Sequence, residues 1–182
     1  MYSDKMTDPF IIPSLETERL CMRPFSRHDL DPFAEIIADP EVIQYATYNG
    51  DVMSRVQAWN WLCLMIGHWH MRGFGIWAVE EKATGKLIGR IGLQFLDWFD
   101  DVELVWMLRK TAWGKGFAAE GARAAINYGF NSLELPRMTS VIHKVNEPSI
   151  RLAERLGMIF ERQIERQEIQ FLEYSLNNFD NH

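Results

Sequence analysis

Trp113-Gly114-Lys115-Gly116-Phe117-Ala118-Ala119 is the stretch on which the reading of this chain turns. The run before it, Val102-Glu103-Leu104-Val105-Trp106-Met107-Leu108, is apolar apart from one acid and predicts a strand. After it, Ala118, Ala122, Ala125, Ile126, Gly129, Phe130 and Leu133 recur at helical spacing, which predicts a helix to about Ser132. The glycines therefore stand where a strand turns into a helix. Small residues there let backbone N–H groups point outward with a helix N-terminus behind them, an arrangement that suits a phosphate or pyrophosphate. Lys115 adds positive charge, with Arg109 and Lys110 close by. A P-loop needs a Lys followed by Ser or Thr after its second glycine, and here Phe117 follows Gly116. Gly114-x-Gly116-x-x-Ala119 does fit the dinucleotide fingerprint on paper. That fingerprint also places an acid on the next strand, and Arg137-Met138-Thr139-Ser140-Val141-Ile142-His143 carries none.

Outward from this stretch, the chain alternates strands and helices. Residues 1–14 predict a loose arm, and Arg19 to Pro24 a short strand stopped by proline. Ser26 to Ala38 predicts a helix with Leu30, Phe33, Ile36 and Ile37 as its stripe; Pro32 moves its regular start towards Asp31, and Asp39-Pro40 ends it. Ser54 to Arg72 predicts a long helix packing through Val56, Trp59, Leu62, Cys63, Ile66 and His70, closed by Gly73. Residues 76–80 and 87–93 predict a hairpin around Ala83-Thr84-Gly85, and Asp97 to Asp101 an acidic, aromatic turn. Asn146-Glu147-Pro148-Ser149 opens a helix with the stripe Ile150, Ala153 and Leu156, closed by Gly157. Residues 158–163 and 168–176 predict a last strand pair. The helix between strands 102–108 and 137–143 implies one parallel crossover in an otherwise antiparallel sheet.

At 182 residues, with 47% apolar and 13% aromatic content, the chain predicts one α/β domain over residues 1–182 with a substantial core. A net charge of −6 argues against nucleic acid as a partner and is compatible with a cationic acceptor such as an amine. Cys21 and Cys63 each lie in an apolar run and predict buried thiols in a reducing compartment. The polar N-terminus is no signal peptide, and no apolar run is long enough to span a membrane. The expectation is a cytoplasmic protein, a monomer or homodimer.

Three motifs in order resemble the GNAT acetyltransferases, and most nearly the branch containing the ribosomal-protein alanine and serine N-terminal acetyltransferases. Leu15-Glu16-Thr17-Glu18-Arg19-Leu20 followed by Arg23-Pro24 is similar to that branch's opening. Trp113 to Glu120 resembles its acyl-CoA loop: Gly116 and Ala118 take the last two fixed places of Gln/Arg-x-x-Gly-x-Gly/Ala, and Trp113 stands where Gln or Arg is usual. In this branch Trp before the first glycine is common. Asn146 to Met158 resembles its second motif. The resemblance spans about residues 14–176. It implies a mixed, mostly antiparallel sheet of six or seven strands flanked by about four helices, with strands 102–108 and 137–143 splaying around acetyl-CoA. No metal is implied, and His68-Trp69-His70 does not form a ligand set, because residues two apart on a helix face different ways.

Acetyl transfer requires a neutral amine, a held thioester, a stabilised oxyanion and a proton for the leaving thiolate. By resemblance, pyrophosphate falls to backbone N–H groups of Gly114, Lys115, Gly116, Phe117 and Ala118, beside Trp113. The open edge of strand 102–108, at Trp106, Met107 and Leu108 among others, can pair with pantetheine like an added strand, and near Val105–Met107 it can offer an N–H to the thioester oxygen. Glu103 is the candidate general base: a lone acid in an apolar strand, on the face of Val105 and Met107, whose burial raises its pKa. Its structural alternative is an ordinary strand-end glutamate, with Asp100 and Asp101 beside it. Ser149 is the resemblance's candidate for thiolate protonation, because Ala153 stands where many GNAT enzymes carry a Tyr. The alternative is a first-turn serine satisfying the helix end. Asn146 reads as the helix cap, with a further role in holding pantetheine or Ser149. His143 is a second base candidate. Trp98 and Trp106 are candidates to line an acceptor pocket, with core the stronger reading for Trp106. The implied activity is an acetyl-CoA-dependent N-acetyltransferase acting on a primary amine, a protein N-terminus before the rival acceptors: polyamine, aminoglycoside, amino acid or lysine side chain. A non-catalytic acyl-CoA-binding regulator is the rival of another class.

Overall fold

The computed structural model describes residues 11–47, 50–95 and 101–178. Its elements are β1 (Leu15–Glu16), β2 (Leu20–Arg23), α1 (Leu30–Ile37), α2 (Pro40–Ile43), α3 (Arg55–Arg72), β3 (Ile76–Glu81), β4 (Lys86–Gln94), β5 (Glu103–Leu108), α4 (Phe117–Asn131), β6 (Arg137–His143), α5 (Glu147–Arg155), β7 (Ile159–Arg166) and β8 (Ile169–Asn177). The eight strands form one sheet in the order β1-β2-β3-β4-β5-β6-β8-β7. All neighbours are antiparallel except β5 and β6, which run parallel with α4 between them in sequence. No helix among the described residues is long and apolar enough to cross a membrane.

A core lies on each face of the sheet. Under α4 and α5 it contains Leu20, Trp77, Ile91, Leu104, Phe117, Ala122 and Ala153. Under α1–α3 it contains Phe33, Ile37, Ala58, Leu62, Met65 and Met107. Each large apolar side chain enclosed there stabilises the fold by roughly 1.5–3 kcal/mol relative to exposure. β5 contributes Leu104 and Leu108 to the first core and Met107 to the second, as the two-residue period of a strand requires.

Several expectations are corrected. Among the described residues the sheet has eight strands, not six or seven, with Leu15–Glu16 a short strand against β2, and the α-helices number five where about four were expected. Asp39-Pro40 does not simply end a helix. Asp39 accepts from the Glu41 N–H and caps α2, with Pro40 at its first position. On α3 the buried positions are Ala58, Leu62, Met65 and Trp69. Val56 and Trp59 are exposed, and so is Cys63; Cys21 is half-buried. The helix is apolar nearly all round, so periodicity alone could not tell the packed side from the open one. The arm is fixed from at least Ile12: Ile12 and Leu15 pack on the first core, and the Trp77 indole donates to the Pro13 carbonyl at 2.7 Å. Residues 1–10, and Trp98 with the turn residues 97–100, lie outside the described residues.

The entry to α1 is held by charge. Asp29 is 3% exposed and takes two donors from Arg23, at 2.9 and 2.8 Å, together with the Ser26 N–H at 2.7 Å. Burial would raise its carboxyl, but Arg23 and Ser26 together hold it below the usual carboxylate range. Without Asp29, Arg23 keeps Glu80 at 3.0 Å as a partner, so Asp29→Ala should lower unfolding free energy by about 1.5–3 kcal/mol, the range for hydrogen bonds to charged groups. A lowered folded pKa means stability that is present above the unfolded value and lost as pH falls through the folded one. Urea unfolding at pH 7 and pH 3 should therefore show a larger acid loss in wild type than in Asp29→Ala.

Candidate functional site

β5 and β6 meet at Glu103 and Thr139, where the Thr139 N–H donates to the Val102 carbonyl at 2.9 Å. Beyond that point side chains replace the backbone ladder. The Val141 N–H donates to Glu103 Oε1 at 3.2 Å, and the Ser140 hydroxyl donates to the Leu104 carbonyl at 2.7 Å. β5 stays paired with β4 up to Leu108, and β6 stays paired with β8 up to His143. The two parallel strands therefore part, and residues 105–108 keep an edge open towards β6.

Glu103 is 7% exposed and also accepts from Gln94 Nε2 at 2.7 Å. Burial pushes its carboxyl above the ordinary range; the hydrogen bonds from Gln94 and Val141 and the charges of Arg90 and Arg166 oppose that without cancelling it. The strand alternation puts Glu103, Val105 and Met107 on the α1–α3 side. His143 lies on that side as well, between the rings of Tyr45 and Phe171 at 5.4 and 5.6 Å, its Nδ1 accepting from the Val145 N–H at 3.3 Å.

On the opposite face Trp106 and Ser149 come together. Trp106 Nε1 donates to Ser149 Oγ at 3.2 Å. Trp106 is half-buried and packs on the first core as expected, and its indole also has a polar partner. Asn146 caps α5, its Oδ1 accepting from the Ser149 N–H at 3.3 Å. The Ser149 oxygen is used as an acceptor, and among the described residues its hydroxyl proton is given to no acceptor.

The glycine stretch ends β5 and starts α4. Gly114 and Gly116 have φ of +72° and +81°, the left-handed region that favours glycine. Gly116 is the N-cap of α4, and no side chain caps that helix start, so its first N–H groups face outward. Trp113 Nε1 donates to the Leu108 carbonyl at 2.7 Å and ties the loop to the strand end; Lys115 is exposed.

Sequence reasoning missed what fixes this loop. Arg19 donates to Glu120 Oε2 at 2.7 Å and to the Lys115 carbonyl at 2.9 Å, and its guanidinium covers the Phe117 ring at 4.7 Å. The Thr17 hydroxyl donates to Glu120 Oε1 at 2.6 Å. These residues lie inside two motifs that the sequence displays, but no spacing rule joins side chains 101 residues apart. His68 has a structural role: Nε2 accepts from the Phe95 N–H at 3.0 Å, so Nδ1 carries the proton and donates to the Phe74 carbonyl at 2.7 Å. No group of three or more metal-ligating side chains occurs among the described residues.

Comparisons with known proteins bear on the family and the fold. A family model described as an acetyltransferase (GNAT) domain matches residues 19–159. The uncharacterised N-acetyltransferase p20 of Bacillus licheniformis is 32% identical over 146 residues, 79% of this chain and 81% of that protein. The crystal structure of an acetyltransferase from Agrobacterium tumefaciens superposes with a TM-score of 0.81 at 30% identity, covering 92% of this chain and 95% of that one. RimL, a ribosomal L7/L12 alpha-N-protein acetyltransferase solved in complex with coenzyme A, shares the fold with a TM-score of 0.77 at 12% identity, covering 91% and 98%.

The burial of Glu103 has a signature in stability. Its folded pKa lies above the unfolded one, so the folded state keeps a proton that the unfolded state releases. The associated stability is present below the unfolded value, near 4.3, and is lost as pH rises through the folded value. Urea unfolding between pH 4.5 and 7.5 should show a smaller fall for Glu103→Gln than for wild type.

Proposed function

The chain belongs to the GNAT acetyltransferase family, and from that premise we propose that it moves the acetyl group of acetyl-CoA to the N-terminal amine of a protein, by direct attack with both substrates bound. The observation that carries this reading is the parting of β5 and β6, with a different functional side chain on each side of it. Glu103 faces the α1–α3 layer, and Ser149, carried by α5, meets Trp106 on the other face. The residues present fit acetyl-CoA. Two glycines with positive φ lead into an uncapped helix start suited to pyrophosphate, and an open strand edge suits the amide groups of pantetheine. Bound there, acetyl-CoA supplies a thioester. Backbone N–H groups from Gly114 to Ala118 hold its phosphates, Trp113 and Lys115 flank them, and the edge at Trp106–Leu108 orients the acyl end.

Glu103 takes the proton of the attacking amine, directly or through water. Its raised pKa keeps it a base strong enough to be useful near neutral pH. Ser149 gives its hydroxyl proton to the departing thiolate. Trp106 supports that role by occupying an acceptor site on Oγ, leaving the O–H to point elsewhere. The Glu103 carboxylate already holds two donors, while His143 stands on the same face with part of its surface open, so His143 is the second base reading. One domain over residues 1–182 carries all of this. Cys21 and Cys63 are free thiols, which suits the cytoplasm.

The cofactor assignment is tested at Gly116, where Asn and Asp tolerate the left-handed conformation about equally. Gly116→Asp should weaken acetyl-CoA binding about tenfold or more relative to Gly116→Asn, because only Asp sets a negative charge against the phosphates. Equal affinities by calorimetry would overturn the loop assignment.

The division of labour is tested by thiol release with a peptide and amine panel. A positioned acid or base contributes about 10²–10⁴-fold. Glu103→Gln should lower kcat/KM towards the smaller end of that range, with partial recovery at high pH, where the amine deprotonates unaided. Ser149→Ala should lower kcat with acetyl-CoA affinity unchanged and no recovery in alkali. Wild-type activity of Glu103→Gln at pH 6.5 would move the base role to His143. Acetyl-CoA binding with no thiol release across the panel would identify a regulator.

A further inference from the structure

Arg90 is the buried charge that the reaction leaves unused. It lies on β4 opposite Met107 of β5, on the face that carries Glu103 and Gln94. Its guanidinium lies over the Trp61 ring at 4.7 Å, and Trp61 is packed against Phe33 of α1 at 6.3 Å. Nε is enclosed without a hydrogen-bond partner, although the residue as a whole keeps part of its surface open. Burial pulls its pKa down to about 10, with the Glu103 charge opposing. Glu103 is close enough to attract it, but the Glu103 oxygens are taken by Gln94 and Val141.

Guanidinium carries five N–H donors in one plane, and enclosed donors are ordinarily satisfied. Trp61 covers the guanidinium, and Nε meets no acceptor among the described residues, which leaves a donor for an anion; Arg binds a carboxylate with two parallel hydrogen bonds. The neighbouring groups say which molecule would bring that carboxylate. An acceptor amine must reach β5 near residues 105–107, with Glu103 beside it. Arg90 stands one strand away on the same face. A carboxylate and a guanidinium on adjacent strands match an amine and a carboxylate separated by a few bonds.

We infer that Arg90 is the docking point for a carboxylate carried by the amine acceptor, presenting its in-plane N–H groups while Trp61 holds its face. The carboxylate has two sources with the same chemistry: the α-carboxylate of a free amino acid, or an acidic side chain at the first residue of a polypeptide. The inference rests on the acetyl-transfer reading for the identity of the acceptor, and its test separates the two.

Two measurements decide it. In the first, thiol release is compared for matched acceptors: peptides beginning with Asp or Asn, peptides beginning with Glu or Gln, and a free amino acid beside its amide. Wild type should prefer the charged member of a pair by about tenfold or more in kcat/KM. Arg90→Met should abolish the preference, read as the charged-to-neutral ratio within each pair because Arg90 also acts on Glu103, and Arg90→Lys should keep part of it. Preference within the peptide pairs identifies the side-chain source, and preference within the amino acid pair the α-carboxylate. In the second, the Arg90 Nε–H resonance of the CoA-loaded wild-type protein is followed while N-acetyl-aspartyl peptide, N-acetyl-asparaginyl peptide, an N-acetyl amino acid or its amide is added. Only the carboxylates should shift it. Turnover blind to charge, or a shift that the amides cause equally, overturns the carboxylate anchor and leaves acetyl transfer standing. A carboxylate-specific shift without turnover of any acceptor supports the anchor and overturns the transfer reading. The titration needs no variant, so it decides the matter even if Arg90→Met does not fold.

Discussion

The structure depends on two hydrogen bonds that keep β5 and β6 apart. Parallel neighbours normally satisfy one another's backbone, and opening them inside a protein exposes N–H and C=O groups that cost about 1–3 kcal/mol each when unpaired. Here Glu103 accepts the Val141 N–H and Ser140 donates to the Leu104 carbonyl, so the first groups beyond the branch are satisfied by side chains. The split is thus built into the free protein, and a ligand that lies along the 105–108 edge meets it already open. This also places Glu103 in two roles, because the carboxylate proposed to accept a proton is also a wedge. Its pairing with Gln94 fixes its orientation and opposes the effect of burial on its pKa.

How much of this was legible depended on whether the signal was local. The strand–glycine–helix order, the Asn146 cap and the closing glycines could be read from neighbouring residues, because caps and turns are short-range physics. The parting of β5 and β6 followed from one crossover helix and the family resemblance. The packed side of α3 was not legible: Val56, Trp59, Leu64 and Met71 are as apolar as the residues that pack, and only the tertiary fold assigns Ala58, Leu62, Met65 and Trp69 to the core. The buried cysteines were misread for the same reason, since an apolar run is not by itself a buried one.

The candidate site shows the same boundary. Glu103 and Ser149 stood out as single residues, while their partners did not. That Trp106 faces Ser149, that Gln94 faces Glu103, and that Arg19 braces the loop through Glu120 are statements about strand register and chain crossing. Arg90 illustrates it most sharply. In sequence it is one cation in a polar-apolar strand, and its meaning comes from Trp61 above it and the hydrogen bonds it does not make.

The division of the core by the sheet has an evolutionary consequence. Apart from Met107, the residues proposed to grip the acyl donor rest on the core under α4 and α5, and those proposed to face the acceptor rest on the core under α1–α3. Substitutions far apart with no shared partner act nearly independently. The acceptor half of such a protein is therefore free to drift towards new amines while the donor half stays intact. Selection for a new substrate acts on the side chains of one layer, and β5, common to both cores, is the strand least able to vary.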